Sequence, residues 1–290
     1  MRTDNKTSWK TGKIISITLL SLMAILLLFP MALTFLYSFF PVKEMNDLLG
    51  TRGNFSIDQW MDFPLSPSIV SLRQYYSLLI EKPIYLQYFM NSVFYAVVVL
   101  LFQAIVLPAL SYALSCFKFF GREALFFLIL LLMLMPFQVT MAPSVLTMKT
   151  LGLLNTRWAI ILPLAVSPLY VFLIRQYMLS IPTDILEAGL MDGAGTVRTY
   201  LYIVLPACAP ILGAACALSF ADSWNLVEQP LIYLSELRDA LPLSVMFNAI
   251  GESEKGVAFA GAALYILPAM LIYIYFQEDI LTGIQLSDLK

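Results

Sequence analysis

Few residues in this chain have side chains suited to chemistry, and their spacing narrows what they can do. The sequence has no histidine, so the commonest metal ligand and general base are missing. Cys116, Cys208 and Cys216 form no C-x-x-C pair and no zinc-type spacing. They read as small apolar residues within helices. A phosphate-cradling loop needs G-x-x-x-x-G-K-[ST]. The nearest string, GESEKGVA, spaces Gly251 and Gly256 correctly but has Val257 where the lysine must stand. What remains is one polar stretch at 180–206, SIPTDILEAGLMDGAGTVRTYLYIVLP, carrying Asp184, Glu187, Asp192 and Arg198 with glycines at 189, 193 and 195. Charges without a nucleophile or base beside them suit a charge-assisted contact with a partner.

The elements that must position this stretch follow from composition. Hydrophobic residues make up 60% of the chain and charged residues 12%, against roughly 25% charge in soluble domains. Such an excess must face lipid, and the net charge of −2 gives no pull toward nucleic acid. The reading is an all-α polytopic membrane protein. Spans are expected over 14–40, 86–116, 124–146, 158–179, 207–224 and 257–276, each near or above the ~20 residues that cross the hydrocarbon core. The first is too long for a signal-peptide apolar region, and no small-residue cleavage site follows it. Prolines 30, 108, 136, 143, 163 and 168 imply kinks. No low-complexity tract or short repeat divides the chain, so 1–290 reads as one transmembrane domain.

Arg2, Lys6, Lys10 and Lys13 precede the first span, and Lys43 is the nearest cation after it. The positive-inside rule then puts the N-terminus in the cytoplasm, and an even number of spans returns the C-terminus there. The long loops 41–85 and 225–256 face outward, and the apolar residues of PLIYLSELRDALPLSVMFNAI suggest that the second dips against the protein or packs on a partner. The polar stretch lies in the cytoplasm. Thr183 and Pro182 start a helix to about Met191, Asp192-Gly193 breaks it, and a second helix runs from Thr196 to Leu205, with Pro206 opening the fifth span. A turn of two to eight residues usually joins two helices, so this longer stretch reads as a docking element.

EAGLMDGAG followed by IVLP resembles the EAA loop of ABC importer permeases: E-A-A, three residues, G, nine residues, I-x-L-P. Glu187, Ala188, Gly193, Ile203, Leu205 and Pro206 fall on that pattern, and Gly189 replaces its second alanine. YFMNSVFYAVVV (88–99), LSYALSCFKFFGRE (110–123), MLMPFQVTMAPSVLTMKTLGLLNT (133–156), FADSWNLVEQPLIYL (220–234) and LPAMLIYIYFQEDILTGIQLSDLK (267–290) resemble further segments of the carbohydrate-uptake permeases related to the maltose-type inner-membrane subunits. Val227–Glu228–Gln229 departs from that family's usual aromatic and apolar residues.

The resemblance implies a six-span permease with a cytoplasmic two-helix coupling loop at 180–206. Glu187, Ala188, Gly189, Asp192 and Gly193 would be its ATPase-coupling residues. It implies no chemistry and no cofactor in this chain; ATP and magnesium would sit on a cytoplasmic ATPase dimer. A second homologous permease, an extracytoplasmic solute-binding protein and membrane lipid are the other implied partners. The place is a bacterial or archaeal cytoplasmic membrane. A hydroxyl-rich solute needs polar and aromatic groups along its path, and Asn91, Gln103, Gln138, Asp222, Trp224 and Asn225 are the candidates; each amide or acid could equally hold two helices together. The tail 278–290 would touch the ATPase pair. A non-carbohydrate solute stays open. A self-contained secondary transporter would place ionisable residues at mid-span, and an intramembrane enzyme would need a catalytic pair or metal cluster.

Overall fold

The computed structural model describes residues 4–50, 64–246 and 255–285. Gly251 of the GESEKGVA string and residues 286–290 of the tail lie outside them. A backbone in lipid must satisfy its own hydrogen bonds, and no strand occurs among the described residues. In chain order the helices are α1 Asp4–Tyr37, α2 Val42–Gly50, α3 Arg73–Tyr76 continuing as a π-turn Ser77–Glu81, α4 Pro83–Cys116, α5 Arg122–Leu134, α6 Phe137–Thr150, α7 Trp158–Ala165 and α8 Pro168–Met178. There follow α9 Thr183–Met191, α10 Thr196–Thr199, a π-turn Tyr200–Val204, α11 Leu205–Ala207, α12 Ala209–Trp224, α13 Glu228–Tyr233, a 3-10 turn Arg238–Ala240, α14 Leu243–Met246 and α15 Lys255–Gln285.

Among the described residues four segments are long and apolar enough to cross a bilayer unaided: Lys13–Tyr37, Pro83–Cys116, Trp158–Met178 and Gly256–Gly283. The third expected span is not one helix. α5 and α6 meet at 111°, because the residue before a proline is driven out of the helical region. Met135 adopts φ −79°, ψ 123° ahead of Pro136. The fifth is also bent, by 72°, between Thr196–Ala207 and Ala209–Trp224. That break falls at Cys208, not at the expected Pro206, which lies inside α11. Six crossings result only if each bent pair counts as one. Within the fourth span the chain leaves helical geometry at Val166 and Ser167, and Pro168 opens α8 with its missing amide harmlessly at the start. Prolines 30, 108, 143 and 163, and also 268, sit inside continuous helices.

By packing, the chain divides into two compact units. The first joins Met1–Pro83 to Ile250–Ile266. Tyr37 meets Phe259 edge-on at 5.4 Å, the Ser38 and Tyr75 hydroxyls lie 2.7 Å apart, and Phe40, Met45, Ala260 and Ala263 are buried. The second, Ile84–Ala249 with Leu267–Lys290, carries the candidate residues. One of its cores draws Leu107, Tyr112 and Leu114 of α4, Phe126 and Ile129 of α5, Tyr170 and Ile174 of α8, and Val204 to Ala215 together. The other joins Tyr95 and Val99 of α4 and Ile160 and Ile161 of α7 to Leu226, Tyr233, Leu234 and Ala240.

The expected dip of the second long loop therefore has a cause. Positions 87, 91, 92 and 95 share one face of α4. Gln87 and Asn91 both donate to the Asp239 carbonyl, at 3.0 and 2.7 Å, and Tyr95 donates to Ala240 at 2.9 Å. The Leu243 amide donates to Ser92 Oγ at 2.9 Å.

Candidate functional site

The stretch 180–206 is a tight helix pair. Leu179, Ser180 and Ile181 turn by donating to Arg175, Tyr177 and Met178, and the Ile185 amide donates to the Pro182 carbonyl to open α9. Ile181 and Leu186 pack on the first core, while Glu187 and Ala188 stand exposed. At the helix end, Gly193 has φ +78° and the Ala194 amide donates to the Gly189 carbonyl at 3.0 Å. This six-to-one bond around a left-handed glycine is the Schellman closure, and it satisfies a carbonyl that would otherwise be orphaned. Asp192 is exposed beside it.

Gly189, the departure from the alanine pattern, is buried where the two helices touch. A Cβ there would lie 2.5 Å from Ile203 Cδ1, so glycine allows the π-turn to press against α9. The Tyr200 ring lies 5.0 Å from that of Tyr112 on α4, and Val204 is fully buried. Thr199 Oγ1 is buried without a partner. The pair thus presents three acids, Asp184, Glu187 and Asp192, and the small Ala188 outward from a firmly held base. Among the described residues no cluster of His, Cys, Asp or Glu has metal-binding size.

The polar candidates do not converge on one chamber. Asn91 is buried and fully engaged: its Nδ2 donates to Asp239 and Leu241, and its Oδ1 accepts from Arg157 at 3.1 Å. Gln103, also buried, donates to the Leu164 carbonyl at 2.6 Å and accepts from the Ser219 hydroxyl. Both act as joints between segments. Trp224 is 1% exposed, stacked on Phe220 at 5.3 Å and edge-on to Phe89 at 5.8 Å. Asn225 is exposed and donates back to Ala221 at the end of α12.

Gln138 and Asp222 remain on the surface. Gln138 Nε2 donates to both oxygens of Glu228 at 3.2 Å. Asp222 accepts from the Tyr170 hydroxyl at 2.5 Å. Tyr170 sits midway along the Trp158–Met178 span, just after the break before Pro168. Sequence reasoning missed Tyr170, Glu228 and Arg175. Glu228 was signalled by the departure Val227–Glu228–Gln229, and Arg175 by a cation inside an apolar run.

A family model described as "Binding-protein-dependent transport system inner membrane component" matches residues 104–278. The chain is 32% identical over 284 residues to the arabinooligosaccharides transport system permease protein AraQ of Bacillus subtilis (strain 168), covering 95% of both. It is 30% identical over 198 residues to the lactose transport system permease protein LacG of Rhizobium radiobacter, covering 67% of this chain and 72% of that one. Its fold is similar to that of a chain in the crystal structure of a bacterial ABC transporter involved in the import of the acidic polysaccharide alginate, with TM-score 0.78, 24% identity and coverage of 93% and 97%.

Proposed function

The chain belongs to the family of binding-protein-dependent transport system inner membrane components, and on that premise we propose that it is a permease subunit importing a sugar or oligosaccharide by ATP-driven alternating access. The observation that carries the mechanism is the exposed Glu187–Ala188 edge of α9, backed by the Gly189–Ile203 contact and closed by Gly193. Such an edge fits a groove on another protein. Glu187, Ala188, Gly189, Asp192 and Gly193 couple the chain to a cytoplasmic ATPase dimer, which binds ATP and magnesium. A second, homologous permease completes the path, and an extracytoplasmic binding protein delivers the solute. Both termini lie in the cytoplasm of a bacterial or archaeal cell. The carbohydrate class rests on the relatives named above and on the hydroxyl-matching groups left at the surface, Gln138, Asp222 and Glu228.

A mild-detergent purification of the tagged chain from its native membrane tests this reading. The wild type should bring an ATPase with it. Glu187→Lys should remain in the membrane yet recover at least tenfold less ATPase, since a charge-assisted contact contributes roughly 1.5–3 kcal/mol. Equal recovery with the variant, or uptake of labelled arabinooligosaccharide by vesicles lacking ATP, would reject it.

A further inference from the structure

An arginine inside an apolar span is costly, and such residues mark function more often than packing. Arg175 lies on α8, near its end at Met178, with its side chain only 7% exposed. Its Nε donates to the Leu114 carbonyl in the last turns of α4 at 3.1 Å. Its guanidinium lies 3.7 Å above the Phe126 ring, and Nη2 is 3.8 Å from Glu123 Oε2, both on α5. The other Glu123 oxygen is held by Arg122 at 2.6 and 2.9 Å, and Arg122 also donates to the Phe117 carbonyl at 3.2 Å. Phe126 stacks on Phe172 of the same α8. One side chain therefore fastens α8 to the end of α4 and the start of α5.

The other end of α8 is equally telling. The Leu179 amide donates to the Arg175 carbonyl at 3.0 Å, and the next two residues turn through hydrogen bonds straight into α9. α9 has no slack by which to move without α8. Burying the guanidinium beside an acid whose side chain stays 68% exposed is poor design for stability alone, because such a partner does not repay taking the charge out of water.

We infer that Arg175 is a positioning residue of transport: it makes the α4–α5 turn travel with α9 when the ATPase pulls on it. This rests on the coupling role assigned to α9 above. An apolar residue in its place would leave α9 docked but moving with α8, without the α4–α5 turn.

The test uses the assembled complex in lipid nanodiscs. The chain's native cysteines are replaced by alanine, and spin labels are placed through Phe120→Cys and Met191→Cys, both strongly exposed sites. Distances are measured before and after MgATP. With Arg175 present the separation should hold, because both labels ride one body. In Arg175→Met it should shift by about 2 Å or more, the scale of helix displacements in switching proteins. Arg175→Lys, which keeps a donor for Leu114, should fall between, and Glu123→Gln should shift less than Arg175→Met. The ATPase should still co-purify with Arg175→Met, unlike with Glu187→Lys. Equal distance behaviour in the wild type and Arg175→Met overturns the inference, as does loss of the ATPase from Arg175→Met. Should Arg175→Met fail to accumulate, unchanged distances in both Arg175→Lys and Glu123→Gln overturn it. A wild-type complex that recovers no ATPase rejects the coupling role itself.

Discussion

At the scale of single residues, the structure separates side chains that hold the fold from those that face outward. Asn91 answers two backbone carbonyls and one guanidinium. Asn91→Leu strands those groups at a cost of about 1–3 kcal/mol. A lower melting temperature in detergent and faster proteolysis within 225–246, with ATPase association intact, is the expected outcome. Gly193 is constrained differently. Its φ of +78° penalises any Cβ, so Gly193→Val destabilises the end of α9 by about 1–2 kcal/mol. Amide exchange across Thr183–Met191 should accelerate while the long helices stay protected. Asn91 looked in the sequence like a path-lining amide, because a polar group in an apolar run carries the same signal whether it meets a solute or a loop carbonyl from 148 residues away.

At the scale of elements, continuous helices were legible and their breaks were less so. The end of α4 at Cys116 and of α9 at Met191 fall where the apolar run and the Asp192-Gly193 pair put them. Prolines 136, 143, 163 and 168 all read as kinks, yet Pro143 and Pro163 sit within unbroken helices, whereas α5 stops before Pro136 and α7 before Pro168. The difference is tertiary: a freed carbonyl is tolerated only where neighbours meet it, and that is not written near the proline. The packing of α9 on the Tyr200–Val204 turn was likewise invisible, because it pairs Gly189 with a side chain fourteen positions on. Gly189→Ala adds helix propensity of up to ~1 kcal/mol and meets only the flexible tip of Ile203. It should therefore couple normally. Gly189→Leu cannot be met by a tip rotation and should lower the ATPase recovered in pull-downs by at least severalfold.

At the scale of the whole molecule, the reactive surface reports topology. Cys116 is exposed at the end of α4, Cys208 is buried at the helix break, and Cys216 is half-buried. With the N-terminus inside, an impermeant maleimide should label Cys116 in inside-out vesicles and not in intact spheroplasts; the reverse pattern inverts the proposed orientation. The first span poses the opposite question, since Lys13–Tyr37 has none of its most apolar window buried by the rest of the chain. Its residues are apolar on every side, so lipid or a partner chain meets all of it, and residue pattern alone assigns it no preferred face.

The bend between α5 and α6 has a dielectric consequence. At the 72° bend before α12 the Cys208 amide still donates to Val204 and its carbonyl accepts from Leu212. Where α5 gives way to α6 at 111°, the helical ladder stops, and its last carbonyls and next amides need water or protein to answer them. Hydrocarbon cannot do so. Water that reached the α5–α6 break would thin the insulating layer beside it, and the membrane voltage would then fall over a shorter distance. A charged solute crossing beside such a break meets a steeper local field than the bilayer's thickness implies, whereas a neutral one does not register the voltage at all.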